Sequence, residues 1–274
     1  MPDSLRRAHL PPALSRRPLE HVWRGTVAGL AGAVMGSGLY VLAPRLVGKR
    51  ASRPSTRALE WLAASASSIA RPLSLARGSL GDGDRPVIML HGYGMGRSNF
   101  SLLARRLSRA GIGPILFFDY WSLSGLERAT QRLHELVMAL TEGAGYDSVD
   151  LIGHSLGGIV ARDLASTPEV SGRVGTVVTL GTPHGGTRLA VLGIGRVRRA
   201  MLPGSSYLRE LGERPLATGI RGHSIWSRAD DIVRPAESAD WPGQPSVVLD
   251  DLGHMSLLYS RRVARATVAA LLNR

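Results

Sequence analysis

The chain of 274 residues contains no cysteine, and this absence excludes three classes of site. It has no disulfide framework, no thiolate zinc site and no cysteine nucleophile. The absence of cysteine does not identify the cellular compartment, because an exported protein need not contain a disulfide. The sequence also lacks an internal repeat and a long low-complexity tract, which argues against a solenoid. Hydrophobic residues make up 44% of the chain, enough for a sizeable core, so the composition is not that of a disordered protein.

Lysine is nearly absent, since 33 of the 34 basic residues are arginine. Residues 1–77 carry twelve basic and three acidic side chains, a net charge of +9, whereas residues 78–274 carry only +4. The basic excess therefore belongs to an N-terminal arm. No zinc finger, RNA-binding aromatic strand or lysine-rich tract accompanies it, and charge without an element that reads bases is weak support for nucleic-acid binding. We expect no nucleic-acid partner.

An uncharged run of 19 residues, 26–44, lies within the arm between Arg24 and Arg45. As a helix it would be about as long as a bilayer core is thick, ~30 Å. Four glycines would then form one stripe suited to close helix packing: Gly25, Gly29, Gly32 and Gly36. We predict attachment to a membrane surface through this run. There are two alternatives: a helix docked on the soluble body, and a signal peptide that follows the twin arginine Arg16-Arg17. Arginines flank the run on both sides, so its orientation in a membrane cannot be predicted.

Short apolar runs alternate with helix-like stretches from residue 84 onward. The predicted strands are 87–90, 115–118, 149–152 and 174–180, followed after a less regular stretch by strands near 220–226 and 246–249. This alternation predicts an α/β fold with a mostly parallel sheet of about six strands and helices on both faces. Parallel sheets place functional loops at the carboxyl ends of their strands. We therefore predict three regions: a basic arm with an apolar helix (1–50), a helical linker (51–83) and a catalytic domain (84–274).

The loop after the third apolar run reads Gly-His-Ser-Leu-Gly over residues 153–157, a G-x-S-x-G match. The pattern alone is weak, but it follows a buried strand and opens a helix, as a nucleophile turn requires. A serine hydroxyl needs a base, and the base needs an orienting carboxylate. His254 follows the last strand and is the predicted base for Ser155. Asp230 or its neighbour Asp231 is the predicted carboxylate, at the end of another strand.

An acyl-transfer site also needs two backbone donors for the oxyanion. Leu156 supplies one N–H at the start of a helix. The other is expected from the glycine-rich loop after the first apolar run, where Tyr93 is the best-placed donor. His91 and Gly92, in the same loop, are candidates for lining the substrate pocket.

These segments resemble the α/β-hydrolase superfamily, and within it the small bacterial lipases and esterases. The matching segments are VIMLHGYG (87–94), DLIGHSLGG (150–158), TLGTPHGGT (179–187), SRADDIV (227–233) and GHMSLLY (253–259). The resemblance implies Asp230 as the acid, His254 as the base and Tyr93 as an oxyanion donor. It also implies that His184 lines or shapes the pocket. It covers roughly residues 84–274, and it implies no metal and no organic cofactor.

Two departures from the family pattern bear on the architecture. Residues 51–83 do not read as the antiparallel hairpin that usually opens the fold, which is why we expect a trimmed sheet. The apolar segment 189–211 is expected to form either a small lid facing lipid or an ordinary crossover helix.

The sequence thus predicts a serine hydrolase that cleaves carboxylic esters, lipid-like ones above all, through an acyl-enzyme. An acyltransferase with the same triad is the first alternative. A non-catalytic, membrane-associated binding protein on a hydrolase fold is the second. We predict a membrane-associated protein, with an exported or soluble cytoplasmic form as the alternatives. The sequence does not indicate the oligomeric state.

Overall fold

The computed structural model describes residues 80–122, 125–193 and 195–273. The predicted basic arm (1–50), its apolar run (26–44) and most of the predicted linker (51–83) lie outside these residues. Their predictions are therefore not tested by the structure. Within the described part of the chain, no helix is both long and apolar enough to cross a membrane.

Seven strands form one sheet in the described residues. They are β1 (Leu80–Arg85), β2 (Val87–Leu90), β3 (Gly113–Phe118), β4 (Val149–His154), β5 (Val174–Leu180), β6 (Arg221–Ser227) and β7 (Ser246–Leu249). Their order across the sheet is β1-β3-β2-β4-β5-β6-β7. The six strands from β2 to β7 pair in parallel, and β1 pairs antiparallel with β3. The prediction of a mostly parallel α/β sheet is confirmed.

The antiparallel edge strand β1 is an addition to the sheet of about six strands that we predicted. It begins at Leu80, inside the segment that we interpreted as a helical linker. Its sequence, LGDGDR, has neither an apolar run nor an alternating pattern. The segment is a strand because its backbone pairs with β3, which is distant in sequence. Its side chains show no pattern that would predict a strand.

Six helices accompany the sheet in the part of the chain that the structure describes. They are α1 (Ser101–Arg109), α2 (Leu126–Met138), α3 (Leu156–Ala165), α4 (Gly195–Ala200), α5 (Ser206–Glu213) and α6 (Arg261–Leu272), and several short 3-10 turns and one π turn connect or extend them. The alternation of side chains along β2 shows how helices cover both faces. Val87 and Met89 pack with residues of α1 and α6, whereas Ile88 and Leu90 pack with residues of α2 and α3.

The segment 189–211 contains α4 and the start of α5. Several of its apolar side chains, among them Val197, Met201 and Leu211, are buried in the core cluster that α2 and α3 also join, whereas Val191 is exposed. This packing is that of crossover helices. Of the two interpretations offered for the segment, the structure favours the crossover over a mobile lid.

Candidate active site

Ser155 lies at a sharp turn between β4 and α3. Its backbone has φ 54° and ψ −122°, and it is the one non-glycine residue with positive φ among the described residues. Such a conformation costs roughly 1–3 kcal/mol and persists only where the surroundings enforce it. A hydrogen bond to the neighbouring strand helps to enforce this conformation, since the Ser155 N–H donates to the Leu180 carbonyl at 2.9 Å.

Close packing beneath the turn also holds it in place. A Cβ added at Gly157 would come within 2.7 Å of the His91 carbonyl oxygen and would also clash with the backbone of Leu90. Glycine therefore lets α3 lie directly against the end of β2. Ser155 is half-buried, whereas every other residue from Val149 to Ala165 is buried, so the turn presents the serine at the surface of the site.

The loop after β2 lies against the nucleophile turn. A Cβ built at Gly92 would be 3.1 Å from the Ser155 Cβ, so the two segments are in contact. The loop is held by two hydrogen bonds: the Gly94 N–H donates to Ser122 Oγ at 3.0 Å, and the Met95 N–H donates to the Gly92 carbonyl at 3.2 Å. Tyr93 lies within this fixed turn. On the other side of Ser155, Leu156 begins α3, where backbone N–H groups lack intrahelical partners.

His91 supports the loop from behind. The imidazole is buried and stacks on Tyr120 with 4.5 Å between ring centroids. Its Nδ1–H donates to the Gly92 carbonyl at 2.9 Å, and the Tyr120 hydroxyl donates to the His91 carbonyl at 2.7 Å. Burial raises the pKa of Tyr120, so its hydroxyl keeps the proton that it donates. That His91 lines the pocket stays a prediction; these contacts show that the residue also fixes the loop.

Asp230 and His254 meet at the carboxyl ends of β6 and β7. The His254 Nδ1 lies 2.7 Å from Asp230 Oδ2, and both side chains are buried. The second oxygen, Asp230 Oδ1, accepts the N–H groups of Ile232 at 2.9 Å and Val233 at 2.8 Å. A carboxylate only accepts hydrogen bonds, so the proton between the two side chains is on Nδ1, and Nε2 remains the acceptor of the ring.

The structure also separates Asp230 from the other aspartates that we considered. Asp231 accepts the backbone N–H of His254 at 3.4 Å, whereas the 2.7 Å contact with the ring nitrogen Nδ1 is made by Asp230. Asp250 pairs with Arg228, and Asp251 pairs with Arg262. Both of these aspartates are exposed.

His154 contributes to the site in a way that the sequence analysis missed. Its ring is fully buried and lies 4.6 Å from the His254 ring, centroid to centroid. Its Nε2–H donates to the His254 carbonyl at 3.2 Å. Burial lowers the pKa of His154 well below its usual value, and repulsion from His254 lowers it further, so the ring is neutral. It therefore links the nucleophile turn to the loop that carries His254.

His184 is not brought together with these residues. Its Nδ1 accepts a hydrogen bond from Arg162 at 3.2 Å, its Nε2–H donates to Thr179 Oγ1 at 3.1 Å, and the ring stacks on Trp241. Burial lowers its pKa well below the usual value, and the charge of Arg162 acts in the same direction. Both ring nitrogens are therefore engaged within the protein. That His184 lines or shapes the pocket stays a prediction; these contacts fix the position of its ring.

Two comparisons with known proteins agree with this architecture. Residues 117–193 match the family described as a PGAP1-like alpha/beta domain, a stretch that includes β4, Ser155 and α3. The structure is similar to the mature lipase BlEst2 of Bacillus licheniformis at 16% identity, covering 70% of this chain and 94% of that one, with a TM-score of 0.61.

Further solved structures extend the comparison. Lipase B of Aspergillus fumigatus matches at 17% identity over 72% of this chain and 54% of that one, with a TM-score of 0.58. An alpha/beta hydrolase enzyme, MGS-MChE2, from a lagoon sediment metagenome matches at 20% identity over 68% of this chain and 90% of that one, with a TM-score of 0.52. The chain thus has the α/β-hydrolase fold. The resemblance to small bacterial lipases and esterases that its motifs predicted is confirmed at the level of fold.

Proposed function

We propose that the protein is a serine hydrolase that cleaves carboxylic esters, and that its substrates are lipid-like. The observation that carries the proposal is the 2.7 Å contact between His254 Nδ1 and Asp230 Oδ2. It lies at the same edge of the sheet as Ser155, whose turn is of the kind that exposes a nucleophile. The α/β-hydrolase fold supports the general class of reaction, and the lipases of that fold support lipid-like esters as substrates.

The proposed reaction begins with attack of the Ser155 hydroxyl on the ester carbonyl. His254 Nε2 takes the hydroxyl proton, while Asp230 holds the ring in the tautomer that has its proton on Nδ1. The N–H groups of Tyr93 and Leu156 stabilise the oxyanion that forms. His254 then protonates the leaving alcohol. Water, activated by the same imidazole, hydrolyses the acyl-enzyme and regenerates the serine, so the cycle needs neither a metal nor an organic cofactor.

The test is the substitution Ser155→Ala, assayed with short-chain nitrophenyl esters. We expect hydrolysis to fall to the background of the uncatalysed reaction while the far-UV circular dichroism spectrum is unchanged. Ser171→Ala is a matched control, because Ser171 is exposed and donates to the Thr218 carbonyl at the far end of the sheet. Activity retained in Ser155→Ala would remove this serine from the mechanism.

The same two variants distinguish the other functions that the sequence allows. A fluorophosphonate probe reacts with an activated serine, so it should label the parent chain and Ser171→Ala but not Ser155→Ala. Absence of labelling in the parent chain would favour a binding protein without catalysis. Product analysis with and without a lipid alcohol separates hydrolysis from acyl transfer, since a transferase would form a new ester in its presence.

We also propose that residues 26–44 hold the protein at a membrane. Deletion of residues 1–50 should release the chain from membranes of uncharged lipid, such as phosphatidylcholine, and leave the turnover of a soluble ester intact. A truncated chain that stays bound to membranes as firmly as the full chain would contradict this proposal.

A further inference from the structure

A cationic surface lies beside the candidate site, on the segment that follows β5. Residues 170–209 contain six arginines and no aspartate or glutamate. Four of these arginines are exposed and close together in sequence, and with the exposed side chain of Val191 they form what we call the arginine rim: Arg188, Val191, Arg196, Arg198 and Arg199.

The packing of α4 fixes the direction of these side chains. Val197 is 3% exposed and Met201 is 6% exposed, and both belong to the core cluster. Arg196, Arg198 and Arg199 are consequently turned toward solvent. Among the described residues, no ion pair and no side-chain hydrogen bond involves the four guanidinium groups of the rim. Their charge is therefore not neutralised within this part of the protein.

Apolar side chains are exposed at the same edge of the sheet. Val191 follows β5 and is 50% exposed, and Trp121 follows β3 and is also 50% exposed. In the strand order, β2 and β4 lie between β3 and β5, so the strands that lead to the Tyr93 loop and the Ser155 turn lie between the strands that precede Trp121 and Val191. Neighbouring strands are about 4.8 Å apart, which spaces β3 and β5 by about 14 Å.

We propose that the arginine rim is a docking surface for an anionic lipid bilayer. Guanidinium groups would contact lipid phosphates, and Val191 and Trp121 would enter the interface between headgroups and acyl chains. A nucleic acid would also attract the arginines, but it offers no apolar layer for the exposed valine. This contact is separate from the one proposed for residues 26–44, and it does not depend on turnover at Ser155.

The absence of cysteine makes a site-specific test simple. In the full-length chain, Val191→Cys creates a single thiol that can carry the environment-sensitive fluorophore NBD. Val247→Cys is the matched control, because Val247 is 42% exposed but lies on the edge strand β7. A local probe is needed because the arm of residues 1–77 has a net charge of +9 and would itself bind anionic vesicles. Each labelled protein is mixed with vesicles of phosphatidylcholine alone, or of equal parts phosphatidylcholine and phosphatidylglycerol.

We expect the label at position 191 to shift to shorter wavelength and gain intensity with the anionic vesicles only. The label at position 247 should not respond. Combining Val191→Cys with Arg196→Gln, Arg198→Gln and Arg199→Gln should weaken the response. Each arginine near an anionic surface contributes about fivefold in affinity, so loss of all three should lower the equilibrium constant for docking of the rim about a hundredfold. Because the arm still holds the protein on the vesicle, this loss is measured as the fluorescence change of the label at saturating lipid. Arg105→Gln, Arg109→Gln and Arg132→Gln remove the same charge from α1 and α2 and should leave the response unchanged.

The proposal is overturned if the label at position 191 does not respond, or if positions 191 and 247 respond equally. An equal response to both kinds of vesicle would refute the role of anionic lipid, and so would a response that survives loss of the three rim arginines. A response to a DNA duplex with none to vesicles would replace the bilayer with a nucleic acid as partner. None of these measurements depends on ester hydrolysis. A negative result for docking therefore does not contradict the proposed reaction, and a negative result for hydrolysis does not contradict the proposed docking surface.

Discussion

The substitution Asp230→Asn tests the hydrogen bond on which the proposed chemistry depends. The parent carboxylate accepts three hydrogen bonds, two from backbone N–H groups to Oδ1 and one from His254 to Oδ2. Asparagine has one oxygen and one NH2 group in the same space. Because the two backbone N–H groups need an acceptor, the amide oxygen should stay at the Oδ1 position and the NH2 group should face His254.

The consequence for His254 is a change of tautomer. An NH2 group donates, so Nδ1 becomes an acceptor and the ring proton moves to Nε2. Nε2 then cannot take the proton from Ser155. Replacement of the equivalent carboxylate in other serine hydrolases lowers kcat by about 10⁴-fold, or about 5 kcal/mol of transition-state stabilisation, and we expect a loss of this order.

Nitrophenyl ester hydrolysis measures the loss, and thermal unfolding monitored by circular dichroism checks that the protein stays folded. Asp231→Asn is the matched control, since Asp231 accepts the backbone N–H of His254 and an amide oxygen can also accept that bond. We expect kcat within about tenfold of the parent for the control, the loss of a neutral hydrogen bond being worth about 1 kcal/mol. The reasoning is refuted if Asp230→Asn keeps a tenth of the parent activity while folded, or if both variants lose activity equally.

Two further predictions concern stability, and a third concerns the nucleophile turn. His154 and His184 have pKa values lowered well below the usual 6.5, by burial above all, so the unfolded chain binds protons near pH 6.5 that the folded chain does not. Stability should therefore be full above about pH 7.5 and fall below pH 6.5, by about 1.4 kcal/mol per pH unit for each histidine, as urea unfolding would show. Leu133→Ala in α2 should destabilise the protein by about 2–5 kcal/mol, because the side chain is fully buried, whereas Leu272→Ala, 54% exposed, should change stability by less than about 0.5 kcal/mol in the same assay. Gly157→Ala should displace the nucleophile turn, because its Cβ would collide with the backbone after β2, and fluorophosphonate labelling should be lost.

Each of these predictions has a result that contradicts it. A urea midpoint that is constant or rises between pH 7.5 and pH 5 would mean that the two histidines accept protons in the folded state. Equal effects of Leu133→Ala and Leu272→Ala would contradict the packing of α2 on the sheet. Normal labelling of Gly157→Ala would show that the turn tolerates a side chain and that the contact with β2 is looser than the structure indicates.

The central strands could be predicted from sequence because each is buried on both faces and reads as an apolar run. The edge strand β1 could not, since LGDGDR has no such run and its pairing partner, β3, lies more than twenty residues away. For the site, chain order and loop position were enough to propose Ser155 and His254 as partners. The choice between Asp230 and Asp231 depends on which side chain points at the imidazole, and spacing of one residue carries no such information.

The histidines show the same limit. His91, His154 and His184 all occur in glycine-rich motifs beside the candidate site, and sequence alone offers no way to rank their roles. Their roles follow from tertiary contacts: His91 with Tyr120, His154 with the carbonyl of His254, and His184 with Arg162. Each contact joins residues between 22 and 100 positions apart.

The positive φ of Ser155 links chemistry to folding. A free serine rarely adopts this backbone conformation, and here β4, α3 and the Leu180 carbonyl enforce it together. A reactive hydroxyl is consequently a property of the assembled sheet and is absent from the unfolded chain. The rate at which a phosphonate reagent labels this serine during refolding would therefore measure how fast β4, α3 and the neighbouring strand β5 assemble around Ser155.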